Sequence, residues 1–558
     1  MLPLKRWRVL NTDANKSLIE VLLNNRNLDQ RHLNKFKLSE KLHDPYLLED
    51  MDKAVTRILK AIRNNEKITV YGDYDVDGVT STVLMVKLFQ KLNYDIAYLV
   101  PHREKDGYGL KIPGVDEALK IKTDLLITVD NGISSHEAIN YANEKGIDVI
   151  VTDHHLQEGD LPAAFAVINP NRKNSKYPFK GICGAGVVYK LIHAIAHREL
   201  ADDHFKNFML TNLDLLCLAT IADMVPLIDE NYAFCKFGLK ALEETMRPGL
   251  VELKRVSGVL GKTITPMTIG FYLAPRINAA GRLQHASIAV ELLLSETIDR
   301  AKNLVTELNN LNSKIQVMQQ SYIEDVIFKI EENELHDNKM IIVEDKNWSP
   351  GLVGLISGRI KEKYYLPSMA FTTDDDGNYV GSARSIDNFN ITNALTQFNH
   401  LFLNYGGHEK AAGVTIPAEN YQHFKNEIIN YADQHISEED LIQNLLIDSF
   451  VGPEQLNESI IRMIGEIGPF GEGNPEPVIA MENVKINDIR LMGQDKHLKI
   501  LISKGSQDFE CIWWQRGDLK NVIRFGMKAD IAFKPSINTW NGTKKIQCII
   551  EDLRPHQV

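Results

Sequence analysis

Apolar positions gather first into short runs separated by stretches with helical spacing. Ile68 and Val70 belong to the run KITVY, and β-branched residues suit a packed, pleated surface. YDIAYLVP, TDLLITVD and IDVIVTDHH repeat the pattern, with helix-like segments such as SSHEAINYANEKG between them. Strands alternating with helices at this spacing predict an α/β domain with a doubly wound, mostly parallel sheet, over residues 67–285. Residues 1–66, which include LIEVLLNN and DMDKAVTRILKAIRNN, read as a helical cap leading into that domain.

The pattern then changes three times. Residues 286–337 hold apolar residues at helical spacing and predict a long connecting helix or helix pair; a coiled coil is disfavoured because no heptad is sustained. A second α/β unit follows over 338–447, with KMIIVED and SMAFTT as strands and GLVGLISGRIKEKY as the helix between them. NYVGSARS and HEKAAGVTI add strand-like segments, and the glycines of NYGGH read as a loop. From 448 to 558 comes a Gly/Pro-rich bend, GPFGEGNPEP, and then the short strands HLKILIS, DFECIWWQ, ADIAFKPS and KKIQCIIED. Such a series predicts a small β-barrel, an OB-fold.

Ligands of a doubly wound sheet bind beyond the carboxyl ends of its strands, and here those ends are acidic. The first strand runs into Asp73, Asp75 and Asp77, the third into Asp130, the fourth into Asp153, His154 and His155. Asp223 follows the apolar run LDLLCLATIA. Carboxylates this close repel one another unless a cation sits among them. An EF-hand loop also begins D-x-D-x-D-G, but its twelfth position should be Glu and is Leu84 here. Singly, Asp130 reads as a turn residue, the histidines as polar strand tips, and Asp223 as a helix N-cap. Together they match a two-metal site suited to Mn²⁺ or Mg²⁺, with zinc the less apt alternative. Gly184 and Gly186 open a helix but lack the third glycine of a dinucleotide fingerprint, so close packing accounts for them.

Composition narrows the partners. The net charge of −11 means that bulk field will not attract nucleic acid, so any such site is a local basic groove or a metal cluster. Five scattered cysteines without a C-x-x-C pair, and a start without an apolar signal core, lead to the expectation of a cytoplasmic protein.

GDYDVDG, VDNG, DHH and ATIADMVPL together resemble the four motifs of the DHH phosphoesterase superfamily, and within it the RecJ exonucleases. The resemblance runs from Lys67 to the end of the chain. It implies DHH, DHHA1 and OB domains and two divalent ions held by Asp75, Asp77, Asp130, His154 and Asp223, with Asp130 bridging. Asp73, Asp153 and His155 would support the site or contact the scissile phosphate. Some superfamily members carry a metal-binding His where this chain has Tyr71. The resemblance also assigns Arg103, Ser382 and Arg384 to a terminal phosphate, Arg276, Asn278 and Arg282 to the substrate channel, and Gly407 and His408 to nucleic acid. Trp513, Trp514 and Trp540 read either as base-stacking residues or as barrel core.

The implied activity is 5′-to-3′ degradation of single-stranded DNA to mononucleotides in repair and recombination, by a monomer. A single-strand-binding protein and a helicase would be its protein partners. The alternatives are a DHH phosphodiesterase of short RNAs or cyclic dinucleotides, against which the barrel argues, and a non-catalytic replication scaffold, against which the full ligand set argues.

Overall fold

The structure is a computed structural model that describes residues 5–11, 16–28, 42–103, 106–540 and 543–557. After β1 (Arg6–Val9) come β2 (Ile68–Tyr71), β3 (Ala97–Leu99), β4 (Leu125–Val129), β5 (Asp148–Thr152) and β6 (Ala166–Ile168). These last five form an all-parallel sheet in the order β3-β2-β4-β5-β6. Every residue of β2 and β4 is buried, as befits a parallel sheet covered on both faces. Helices Met51–Arg63, Val76–Lys91 and Gly184–Glu199 pack on one face, and Ile112–Lys120 and His136–Glu144 on the other. The strand order reverses between β2 and β4. That reversal opens a crevice at their carboxyl ends, where such sheets take ligands. The sequence pattern did not show β6, whose three residues are too few to display a period.

Helix Ser287–Leu294 leads into Ile298–Glu332, whose 35 residues span about 52 Å. Ala301, Val305 and Leu308 are buried in the core of the first domain, and Val326 and Ile330 in that of the second. One rigid rod thus holds both domains.

The second domain contains β7 (Ile341–Glu344), β8 (Ser368–Thr373), β9 (Tyr379–Arg384), β10 (Asn404–His408) and β11 (Ala411–Ile416). Their order is β10-β11-β9-β8-β7, with only β7 and β8 parallel. NYGGH is therefore an edge strand and not a loop, because pairing with β11 overrides the weak strand propensity of glycine.

After β12 (Asn444–Ile447) and β13 (Ser449–Phe450) come the barrel strands β14 (Ile479–Met492), β15 (His497–Lys504), β16 (Gln507–Trp513), β17 (Lys528–Trp540) and β18 (Thr543–Pro555). The order β14-β15-β16-β18-β17 closes through the β14–β17 pairing, giving a five-stranded barrel of OB type. Trp513 points into its core while Trp514 is half-exposed; the side chain of Trp540 lies outside the described residues.

The cap over residues 1–66 is corrected. Only helix Met51–Arg63 covers the first domain. β1 pairs in parallel with β12, and Leu18, Ile19, Leu22 and Leu23 of helix Leu18–Asn25 are buried in the barrel core. Arg26 and Asp448 form a buried ion pair at 2.7 Å, and Trp7 Nε1 donates to Asp552 at 2.7 Å. Amphipathic spacing shows that a helix has an apolar face but not which core receives it.

Candidate active site

The acids after β2 are positioned by helix capping. Asp75 is the N-cap of helix Val76–Lys91 and accepts from the Asp77 and Gly78 N–H groups at 2.9 and 3.1 Å. Position 78 must be glycine, since a Cβ there would lie 2.5 Å from Asp73 Cβ. Asp77 accepts from the N–H groups of Gly184 and Ala185 at 2.6 and 2.8 Å. Those are free first-turn donors of helix Gly184–Glu199, a position that favours a carboxylate.

Asp130 stands at the end of β4 with φ 63°, in the left-handed region. Beside it the buried Asn131 amide donates to the Gly72 and Val129 carbonyls at 3.1 and 2.9 Å, tying the ends of β2 and β4 together. After β5, Asp153 accepts from the N–H groups of Ile133, His154 and His155 at 2.9, 2.7 and 3.1 Å. It also bonds His155 Nδ1 at 2.8 Å. Burial raises the Asp153 pKa, but the His155 bond and charge outweigh it and leave the carboxyl below its usual range. Asp153 thus shapes the loop rather than facing the cluster. Asn169 and Asn171 donate to the carbonyls of His155 and His154 at 2.9 and 2.6 Å.

These turns bring donors together around His154. Its Nε2 lies 3.2 Å from Asp130 Oδ1, 3.7 Å from Asp223 Oδ2 and 3.8 Å from Asp77 Oδ2. Asp223 is the C-cap of helix Leu213–Ala222, not an N-cap. Three groups of donors each lie within 4.8 Å of one another: Asp77–His154–Asp223, Asp73–Asp75–Asp130 and Asp130–His154–His155. Asp73 Oδ1, Asp130 Oδ1 and His154 Nε2 are buried without a hydrogen-bond partner. Burial raises the pKa of Asp73, Asp130 and Asp223, and repulsion from neighbouring carboxylates raises them further. Burial raises Asp77 as well, against the pull of His154. Orphaned donors and crowded carboxylates are what a pair of hard divalent cations would satisfy, so the residues fit two such ions.

A basic group borders the acids. Arg384 Nη1 donates to Ser382 Oγ at 2.9 Å, and these residues share a face of β9, being two apart. Arg282 Nη1 donates to the Gly351 carbonyl at 2.7 Å, across the boundary of the two domains. Arg103 lies over the Tyr74 ring at 5.0 Å. Burial, then repulsion from Arg103 and Arg384, lowers the Arg282 pKa to about 10; burial, then Arg103, lowers Arg384. Asn278, one turn before Arg282 on the same helix, accepts from the Val76 N–H at 3.1 Å. A Cβ at Gly281 would lie 2.6 Å from the Tyr74 carbonyl, which sets this group beside the loop of Asp73 and Asp75. His408 on β10 is near enough to His154 to lower its pKa, behind burial and His155.

Comparison with known proteins decides the family. The DHH family N-terminal domain matches residues 67–220, the DHHA1 domain 337–434 and the RecJ OB domain 447–552. The single-stranded-DNA-specific exonuclease RecJ of Bacillus subtilis is 36% identical over 563 residues, covering 98% of this chain and 70% of that protein. The Haemophilus influenzae protein of the same name is 34% identical, with 92% of each chain covered. The chain belongs to the RecJ family. The crystal structure of RecJ from Thermus thermophilus in complex with Mn²⁺ superposes with a TM-score of 0.84 at 28% identity, over 99% of this chain and 80% of that one.

Within this RecJ-family frame the residues around the cluster have contacts of their own. Tyr71 packs its ring on Gly114, in the core on the opposite sheet face, and does not replace a histidine ligand. Arg276 donates to Asn309 at 3.0 Å and to the Tyr272 carbonyl at 2.6 Å, so it braces its own helix. Asn278 accepts from the Val76 N–H at 3.1 Å and reaches the metal-side helix. Gly407 sits with φ 150°, against the Ala412 backbone.

Sequence reasoning missed several contributors. Tyr108 lies in the segment that gave Arg103; its hydroxyl donates to the Asp130 carbonyl at 3.1 Å and bonds His155 Nδ1 at 2.8 Å. Asn231 is buried and donates to the Gly181 and Pro226 carbonyls at 2.7 and 2.9 Å, which fixes the segments next to Gly184 and Asp223. A signal for Gly184 existed in the glycines that open its helix. Asn231 has none, because its partners are remote in sequence.

Proposed function

We propose that this RecJ-family protein is a metal-dependent exonuclease that degrades single-stranded DNA from its 5′ end to 5′-mononucleotides, in repair and recombination. The observation that carries the reading is the juxtaposition of basic and acidic groups. Arg103 lies over Tyr74, between Asp73 and Asp75, and Arg282 shares its helix with Asn278, which bonds the Val76 N–H. Neither these arginines nor Arg384 pair with a carboxylate among the described residues. An anion clamp fixed beside a cation site measures a set distance from a terminal phosphate to the bond that is cut.

Asp75, Asp77, Asp130, His154 and Asp223 are the residues that would hold two divalent ions, Mn²⁺ or Mg²⁺, with Asp73 beside them. When bound, such ions activate water near neutral pH and neutralise charge on the phosphate and the leaving oxygen. The chain does the positioning. Gly184 and Ala185 hold Asp77, Asn131 joins the ends of β2 and β4, and Asn169 and Asn171 hold the histidine loop. Tyr108 links Asp130 to His155 and sets that ring beside the cluster. Arg103, Arg282, Ser382 and Arg384 receive the 5′-phosphate, since guanidinium and hydroxyl suit phosphate oxygens. Gly407 and His408 bring the second domain's edge strand to the same nucleotide. The bond broken is that between the 3′ oxygen of the first nucleotide and the next phosphorus. The shortened strand therefore keeps a 5′-phosphate for the next cycle.

The Arg282–Gly351 bond joins the two domains beside the acids, and we assign strand selectivity to the crevice at that boundary. A helicase to expose strands and a single-strand-binding protein to hold them are the partners such an enzyme needs. Its five free cysteines agree with a cytoplasmic setting.

Digestion of 5′-phosphorylated strands labelled at either end tests the reading. Early release of 5′-labelled mononucleotide is expected with Mn²⁺ or Mg²⁺, with none under chelator and a loss of at least ~100-fold in Asp77→Asn. Release beginning at the 3′ end would overturn the clamp. Absence of cleavage with any metal would leave the scaffold alternative.

A further inference from the structure

Helix Ala274–Leu283 carries both Asn278, at the acidic cluster, and Arg282, in the clamp. It is preceded by a π-helical turn, Ile269–Leu273, in which the Ala274 N–H reaches the Ile269 carbonyl. Widened turns of this kind are uncommon and concentrate at functional sites. Here the turn pushes out two consecutive aromatic residues: Phe271 is 71% exposed and Tyr272 47%. Both the turn and its aromatics stand outside the chemistry assigned so far.

Leu273, Ala274, Ile277 and Ala280 are buried in the first domain's core. Ala279 and Leu283 pack with Ile315 of the connecting helix, and Arg276 bonds Asn309 of the same helix. The remaining face holds Pro275, Asn278 and Arg282, at three- and four-residue spacing. Phe271, four residues before Pro275, continues that stripe, and Met267, 67% exposed, extends it by one more turn. Arg276 bonds the Tyr272 carbonyl and Ser257 Oγ donates to it as well, so the protruding turn is fastened in place.

We propose that Phe271, with Tyr272 beside it, is a stacking platform for the bases of the single strand on the 3′ side of the scissile bond. The inference rests on the functional reading above and deepens it. The helix supplies polarity. With the 5′-phosphate at Arg282 and the scissile phosphate on the Asn278 side, about 6 Å along the axis, the rest of the strand continues towards the helix N-terminus. Phe271 lies about 10 Å beyond Asn278, opposite the nucleotides just downstream of the cut. An aromatic ring stacks on any base, which suits an enzyme that must advance through every sequence. The rings would hold the strand while the clamp exchanges one terminal nucleotide for the next.

The test uses the full chain with Mn²⁺ and 5′-phosphorylated oligonucleotides of three and twelve residues. The preference for the longer strand, as a ratio of kcat/KM, should fall about tenfold in Phe271→Ala, mainly through KM, and be restored in Phe271→Trp. Phe328→Ala, an exposed aromatic far along the connecting helix, serves as the control. Under chelator, the twelve-residue strand should quench more emission in Phe271→Trp than in the unaltered protein, whose five tryptophans set the background. An unaltered length preference in Phe271→Ala, or no added quenching in Phe271→Trp, would overturn the platform. If the unaltered protein cuts no strand at all, it is the functional reading that fails.

Discussion

Gly184 and Asp130 are in contact across the crevice, so that a Cβ at position 184 would fall 2.6 Å from Asp130 Cβ. The same glycine donates its N–H to Asp77 at 2.6 Å. One residue without a side chain therefore sets the spacing between two carboxylates, one in the first turn of helix Val76–Lys91 and one after β4. Gly184→Ala should displace one or both, lowering Mn²⁺ affinity and kcat/KM by about 10- to 100-fold. Titration calorimetry with Mn²⁺, alongside end-label assays, measures both. Unaltered metal affinity would show that the carboxylates are placed by other contacts.

Asp130 is raised by burial and then by Asp77, Asp75, Asp223 and Asp73, so the metal-free cluster stores repulsion. Asp130→Asn removes one charge and keeps the shape. We expect the metal-free variant to melt at least as high as the unaltered protein, while the rise in Tm on adding Mn²⁺ largely disappears. Thermal melts with and without metal decide it. A strongly destabilised metal-free variant would mean that the Asp130 charge is compensated within the chain.

The sheet and the acids at its edge were legible because their signals are local. Runs such as LLITV, with Thr128 as its one polar residue, are nearly continuously apolar only when both faces of a sheet are covered, and a carboxylate cluster after them has few other uses. Contributions made from a distance were not legible. Asn131, Asn169, Asn171 and Asn231 act by reaching carbonyls on other segments. The first three follow strands, where asparagine reads as turn chemistry, and Asn231 lies in helix Asp229–Glu244, where it reads as a polar surface position. β10 was hidden because its two glycines carry no strand signal and its register comes from β11. β1 pairs with a strand at the other end of the chain, which no local pattern specifies.

The phosphate clamp should govern the choice of strand end. Arg384 is held by Ser382 and has no carboxylate partner among the described residues, leaving its charge available to an anion. Arg384→Gln should narrow the preference for a 5′-phosphate over a 5′-hydroxyl strand by about tenfold or more, since a charged hydrogen bond is lost. Competition between the two strands in one reaction reads the ratio directly. An unchanged ratio would move the phosphate away from β9.

The barrel also bears on the metal centre. The Leu227 N–H donates to the Glu472 carbonyl at 2.7 Å, and Gly471 abuts Leu227, so the Gly/Pro-rich bend grips the loop that follows Asp223. A Cβ at Gly471 would lie 2.7 Å from Leu227 Cδ1, and one at Gly473 2.9 Å from Pro226 Cβ. Gly473 also has φ 69°, which a β-branched residue adopts only with strain. Gly473→Val should therefore loosen the loop and weaken Mn²⁺ binding several-fold, although the residue belongs to the barrel and touches no ligand. Asn231→Ala, which frees the same loop from Gly181, should act in the same direction. Calorimetric Mn²⁺ titration separates this from a defect in strand binding, because no DNA is present. If both variants bind Mn²⁺ as the unaltered protein does, the bend is a tether between domains and leaves Asp223 alone.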